Sequence, residues 1–206
     1  KEDVHGLAGT DGEREALLCR GPGIVPGKLR CKELLYDFNH ARPSQAGEML
    51  ALLGQLLGAM GEGCWIEPPL YVNWGSRITL GDHVYANTGL TVIDDTFVTI
   101  GSHVMLGPRV TISAASHPVD PELRRQAYQY DLPVVLEENV WVGAGVTILP
   151  GVTIGKNSVI GAGSVVDRDI PPDVVAAGVP CRVLREIGPR DREYYHKDWP
   201  VKDGLA

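Results

Sequence analysis

From Ile100 onward, aliphatic side chains return every six residues: Ile100, Leu106 and Ile112 open the series, with Val104, Val110 and Ser116 four places behind them. After an interruption the same template resumes at Leu136 and continues through Val142, Ile148, Ile154, Ile160 and Val166. An earlier block stands at Leu80, Ala86 and Val92, and a looser pair at Ile66 and Val72. A period of six fits neither the 3.6-residue helix nor the two-residue alternation of a half-buried strand. Three hexads, however, make one turn of roughly 18 residues around a triangular prism, the path of a parallel β-helix. Coils stacked at the strand spacing of about 4.8 Å would line their aliphatic residues into interior columns, each coil covering its neighbour's backbone. The 25 glycines and 2 phenylalanines of the 206 residues suit such a fold, which needs many tight corners and little interior width.

The expected architecture is therefore mainly β, a prism over about residues 62–187. Residues 1–61 read as a helical segment capping one end, and 188–206 as a tail. Leu29, Leu34, Leu35 and Phe38 have helical spacing within 28–38, closed by Pro43. Ser44 suits the N-cap of a second helix ending near Gly61, with Leu50, Leu53 and Leu57 on one face.

The register fails in two places. Leu80 to Ile100 spans two residues too many, an excess falling near Asp94-Asp95. Between about 114 and 134, Pro118, Pro121, Arg124, Arg125 and Tyr128 leave the template altogether, yet the phase at Leu136 agrees with that at Ile112. This is the signature of one long loop thrown out from the prism, and long loops on rigid scaffolds commonly carry function. His117 stands where the loop leaves.

A net charge of −7 offers no basic stripe for a phosphate backbone, so nucleic acid is not an expected partner. No apolar run approaches the roughly 20 residues of a membrane span, and the opening Lys1-Glu2-Asp3-Val4-His5 lacks the form of a signal peptide; a cytoplasmic protein is expected. Cys19, Cys31, Cys64 and Cys181 are scattered without metal-ligand spacing and read as free thiols.

Asn87, Asp94-Asp95, Ser116-His117-Pro118-Val119, Asn139-Val140-Trp141-Val142-Gly143 and Ala176 to Val183 together resemble the galactoside and maltose O-acetyltransferases, a group that includes nodulation-type sugar acetyltransferases. The resemblance covers roughly residues 28–187. It implies that the prism is a left-handed β-helix, against the usual crossover hand. It also implies a homotrimer that binds acetyl-CoA between neighbouring prisms.

Acetyl transfer to an alcohol requires a base for the hydroxyl proton, and imidazole suits that task near neutral pH. Among His5, His40, His83, His103, His117 and His196, only His117 stands at the loop root and matches the family's catalytic position. No serine or cysteine lies in a nucleophile motif, which favours direct attack over an acyl-enzyme. By resemblance, the Ala144 backbone N–H would hold the oxyanion, Asn87 would join it at the catalytic centre, and Tyr85, Asn73 and Asp95 would line the acceptor pocket. Trp141, Ala144 and Ala162 would contact coenzyme A, with Arg168, Arg182 and Arg185 near its phosphates. Three positions depart from the family pattern. Cys19 replaces an acidic sugar contact, Asn73 replaces a small hydroxyl residue, and Asp167 replaces a neutral one. The first two leave open an acceptor other than a sugar, such as an antibiotic or natural-product hydroxyl.

A zinc enzyme of the γ-carbonic anhydrase kind is the rival reading. His83 and His103 share one hexad position and should stack, but Glu122 stands where a third histidine would strengthen the case. A prism retained as a non-catalytic scaffold is the third. The expected cofactor is acetyl-CoA as co-substrate, with no metal.

Overall fold

Hexad side chains form three interior columns, and their pairing defines the coils. Met60, Leu80, Ile100, Leu136 and Ile154 succeed one another on the first face. Ile66, Ala86, Leu106, Val142 and Ile160 do so on the second, and Val72, Val92, Ile112, Ile148 and Val166 on the third. All but Met60 are buried. Each face is a parallel sheet of two- to four-residue strands, because a coil can bond only to the coil above and the coil below. The second face is extended by Val174–Ala177 and closed by the antiparallel strand Arg182–Glu186. These features come from a computed structural model that describes residues 26–201 and the backbone of Leu17–Leu18.

Stacking so close leaves no space for side chains at some corners. A Cβ on Gly107 would lie 2.7 Å from the Ala144 nitrogen, and one on Gly143 would lie 2.6 Å from that of Ala162. Where the first face turns into the second, one residue per coil adopts positive φ: His83, His103, Asn139, Asn157 and Asp173. Asparagine and aspartate tolerate that conformation, and here they also bond along the corner. The Asn139 amide donates to Asn157 Oδ1 at 3.0 Å, and that of Asn157 to Asp173 Oδ1 at 2.7 Å.

The pairing register locates a second two-residue excess. Met60 pairs with Leu80 just as Leu80 pairs with Ile100, so both coils are enlarged, the earlier one at Asn73-Trp74. Sequence reading found only the later one, because a series that starts with a single loose pair has no earlier phase to be measured against. Both enlargements sit at the corner where the third face turns back to the first. The long excursion leaves from this corner too, after Ser113, and rejoins when Val134 pairs with Val98. It is an ordered unit: Ala115–Ser116 pairs antiparallel with Tyr128–Asp131, and Leu17–Leu18 adds a third strand. The short helix Pro121–Arg125 lies between them, capped by Asp120 Oδ1, which accepts from the Glu122 and Leu123 N–H groups.

Two helices close the open end, α1 (Pro26–His40) and α2 (Ala46–Leu56). Helix α1 buries Cys31, Leu35 and Phe38, and α2 buries Met49, Leu53 and Leu56, whereas Leu50 is exposed. Ser44 does not cap α2. The Gln45 N–H instead closes a turn onto the Arg42 carbonyl, which places Gln45 at the cap position. Helix α1 is pinned to the first coil by polar contacts: Asn39 both donates to the Leu70 carbonyl and accepts from its N–H at 2.8 Å, and Lys32 Nζ donates to the Val72 carbonyl. Among the described residues no helix is long and apolar enough to cross a membrane.

Leu136 is fully buried with a coil on either side. Leu136→Ala is expected to cost about 2–5 kcal/mol, measured by denaturant unfolding; an unchanged midpoint would contradict the stacked interior.

Candidate active site

The expected site residues fall on different corners of the prism. At the corner between third and first faces stand Asn73, Asp95 and the root of the excursion with His117. At the corner between second and third faces stand Asn87, Ala144 and Ala162. The pairing of Val142 with Ile160 places Ala144 and Ala162 one directly above the other, a coil apart. Tyr85 and Trp141 lie in one row on the outer side of the second face, with Met105 between them, and all three are exposed. One edge of the prism, on the order of 15–20 Å for six extended residues, separates the two corners.

His117 is held by the excursion it begins. Its Nδ1 lies 2.8 Å from the Tyr128 carbonyl. A carbonyl oxygen can only accept, so Nδ1 carries a proton, and in the neutral ring the lone pair lies on Nε2. The Tyr128–Asp131 strand that supplies this carbonyl also brings in Asp131, which pairs with Ala115. Burial pushes the Asp131 carboxyl up, opposed by the Gln129 amide that donates to it at 2.7 Å; Asp95, Arg77 and His117 are the ionisable groups that act on it.

The two enlarged corners lock into each other. Asp94 is fully buried, and its Oδ1 accepts from the backbone N–H groups of Asn73 and Trp74 at 2.8 and 2.9 Å. Its Oδ2 has no partner among the described residues, and burial pushes its pKa up against the pull of those N–H groups. Asp95 takes the side chains of the same two residues: Oδ2 accepts from the Asn73 amide and Oδ1 from the Trp74 indole, each at 3.0 Å. Arg77 donates to the Asp95 carbonyl. Asn73 and Asp95 are thus brought together as expected for neighbours in one pocket. Trp74, Arg77 and Asp131 are not marked by the sequence pattern, although the earlier register excess points to Trp74; Asp94 is marked by the later excess but not by its role.

On the second corner, the Ala144 N–H makes no hydrogen bond among the described residues, and Ala144 is exposed. The Asn87 side-chain oxygen accepts from the next residue's N–H, that of Thr88, at 2.8 Å. Farther along, the arginines are already paired. Asp167 Oδ1 accepts from Arg182 at 2.8 Å and from Arg168 at 3.4 Å, and Arg182 in particular holds its carboxyl low. Arg185 grips Asp191 through two 2.7 Å bonds, which with the Gly188 N–H bring Asp191 down to about 2. Arg185 also lines a cleft of about 460 Å³ with Arg190, Tyr194, Tyr195 and His196.

His83 and His103 stack with ring centroids 5.0 Å apart, as their shared hexad position predicts. No group of three or more His, Cys, Asp or Glu side chains that could hold a metal stands among the described residues. Cys31, Cys64 and Cys181 are free and buried, whereas Cys19 lies outside the described residues.

Coils of this length, their corner loop and their helical cap define a hexapeptide-repeat β-helix. Residues 133–168 match the pattern described as bacterial transferase hexapeptide (six repeats), and 15–61 match the maltose acetyltransferase hexapeptide capping motif. The galactoside O-acetyltransferase of Escherichia coli K12 is 50% identical over 183 residues, 89% of this chain and 90% of that protein. A galactoside acetyltransferase solved in complex with coenzyme A superposes with a TM-score of 0.84 at 52% identity, covering 85% of this chain and 88% of the other. A maltose O-acetyltransferase from Clostridium difficile 630 gives a TM-score of 0.82 at 39% identity, over 85% and 94% of the two chains. The chain belongs to the galactoside and maltose O-acetyltransferase family, and its prism is the left-handed β-helix of those enzymes.

The arrangement at His117 has a spectroscopic consequence. Nitrogen NMR of the neutral ring should show the Nδ1–H tautomer, with Nε2 unprotonated. The opposite tautomer would remove Nε2 as a base.

Proposed function

We propose that this protein transfers the acetyl group of acetyl-CoA to a hydroxyl of a sugar or sugar-like acceptor, with His117 as general base. The observation that carries the reading is the imidazole held through Nδ1 by the Tyr128 carbonyl, at the root of the excursion and within electrostatic reach of Asp131. His117 Nε2 takes the hydroxyl proton as the oxygen attacks the thioester carbonyl. The Ala144 N–H steadies the oxyanion and Asn87 supports the same centre. Collapse expels the coenzyme A sulfur, which receives the proton back from His117. Sugar acceptors are favoured by the relatives' names, and the acetyl donor by the coenzyme A in the galactoside acetyltransferase complex.

The active site is proposed to form between chains of a homotrimer. His117 and Asp95 occupy one corner and Ala144 and Asn87 another, so one chain presents two half-sites that a neighbouring copy would complete. The exposed row of Tyr85, Met105 and Trp141 supports this, because it gives the outer side of one face an apolar stripe. Coenzyme A would run past Trp141 and Ala162, with its phosphates near Arg168, Arg182 and Arg185. The aromatic and cationic cleft beside Arg185 suits a nucleotide. The protein is proposed to work in the cytoplasm, where acetyl-CoA is made.

His117→Ala should lower kcat by about 10²–10⁴ while leaving the acetyl-CoA KM nearly unchanged; undiminished turnover would sink the mechanism. Arg182→Ala should raise the acetyl-CoA KM, and Asp167→Asn should lower it by freeing Arg182; no change in either removes the phosphate assignment. Coenzyme A release measured against methyl galactoside, maltose, amino sugars and hydroxylated natural products identifies the acceptor. Release with non-sugar alcohols alone would overturn the sugar reading.

A further inference from the structure

Asp95 is clamped by its own chain in an unusual way. Both carboxylate oxygens accept side-chain N–H donors, from Trp74 and from Asn73, and both donors come from the coil below. Those two residues are themselves fixed by the buried Asp94, which binds their backbone N–H groups through one oxygen. The Trp74 ring is in turn held by cations, with Lys28 Nζ and the Arg77 guanidinium carbon 4.7 and 4.6 Å from its centroid. The pair Asn73-Trp74 and the pair Asp94-Asp95 therefore form one closed clamp across the two enlarged corners. A plain 18-residue coil has no residues to build it.

A carboxylate on a half-exposed loop would ordinarily rotate, and ordering it would count against acceptor binding. Here each oxygen has one acceptor position used by the chain and keeps others for hydroxyl donors. We propose that Trp74, together with Asn73, is a positioning residue that fixes the Asp95 carboxylate for the acceptor and so sets acceptor affinity without touching acetyl-CoA. The inference rests on the proposed reading of Asp95 as an acceptor contact. It also recasts Asn73, whose amide is directed onto Asp95.

Trp74→Phe is the informative variant, because phenylalanine removes the N–H donor while keeping a smaller aromatic ring for Lys28 and Arg77. With methyl galactoside or maltose as acceptor, whichever turns over faster, Trp74→Phe is expected to raise the acceptor KM about tenfold with the acetyl-CoA KM unchanged. Asn73→Leu should act in the same direction and serves as the second variant should Trp74→Phe fold poorly, which thermal unfolding reports. In an Asp95→Ala background neither substitution should have any further effect on the acceptor KM. An unchanged acceptor KM in both single variants, or effects that simply multiply with that of Asp95→Ala, would overturn the positioning role. Asp95→Ala with a normal acceptor KM would instead overturn the acceptor reading of Asp95, and the inference with it.

Discussion

The whole molecule depends on one coil lying flat on the next. In a parallel prism every strand is two to four residues long, too short to be stable alone, and its N–H and C=O groups are met only by the coils above and below. The interior columns follow from this contact, since each coil buries the aliphatic residues of the next, and helices α1 and α2 cover the open end. So does the intolerance for side chains at Gly107 and Gly143, where the neighbouring backbone is closer than any Cβ permits. The same constraint restricts where the chain can be lengthened. An extra residue within a face would shift every side chain beyond it, whereas an extra residue at a corner swings outward and leaves the ladders intact.

The proposed base and acceptor residues gather at the corner where that freedom is used. Two successive coils carry two additional residues there, and the next coil throws out the excursion that begins at His117. The first two enlargements bind each other through Asn73, Trp74, Asp94 and Asp95, so a corner that could have been mobile is knitted by four hydrogen bonds. The excursion is ordered likewise, its returning strand supplying the carbonyl that fixes the imidazole. Rigid coils place the corner, and polar contacts within it set the orientation of the Asp95 carboxylate and the His117 imidazole.

The other end of the prism shows a different use of charge. Arg168, Arg182 and Arg185 are each paired with an aspartate, Asp167 or Asp191, all at exposed positions. Exposed pairs of this kind contribute little to stability. Their consequence is for binding: an incoming phosphate would have to replace a carboxylate, so the acidic partners moderate affinity for any anion those arginines take. Asp167 is the partner best placed to do this, because one of its oxygens accepts from two arginines.

The sequence by itself determined the prism. A six-residue period survives in the order of residues because each coil repeats the same local problem, so burial of Ile100, Leu106, Ile112 and their successors could be read from spacing alone. The excursion and the stacking of His83 on His103 were legible for the same reason, as arithmetic on one register. The hand of the helix came from family resemblance, since a period carries no chirality. Only the tertiary structure decided which corner each polar residue occupies and what it bonds to. Asn73 and Asp95 are 22 positions apart, and the earlier enlargement at Trp74 has no preceding register to betray it. His117 is fixed by a backbone carbonyl, a group every residue possesses and no sequence pattern singles out. Periodic burial is a local property repeated many times, whereas the clamp on Asp95 and the tautomer of His117 each arise once, from contacts between coils and strands that exist only after the chain has stacked.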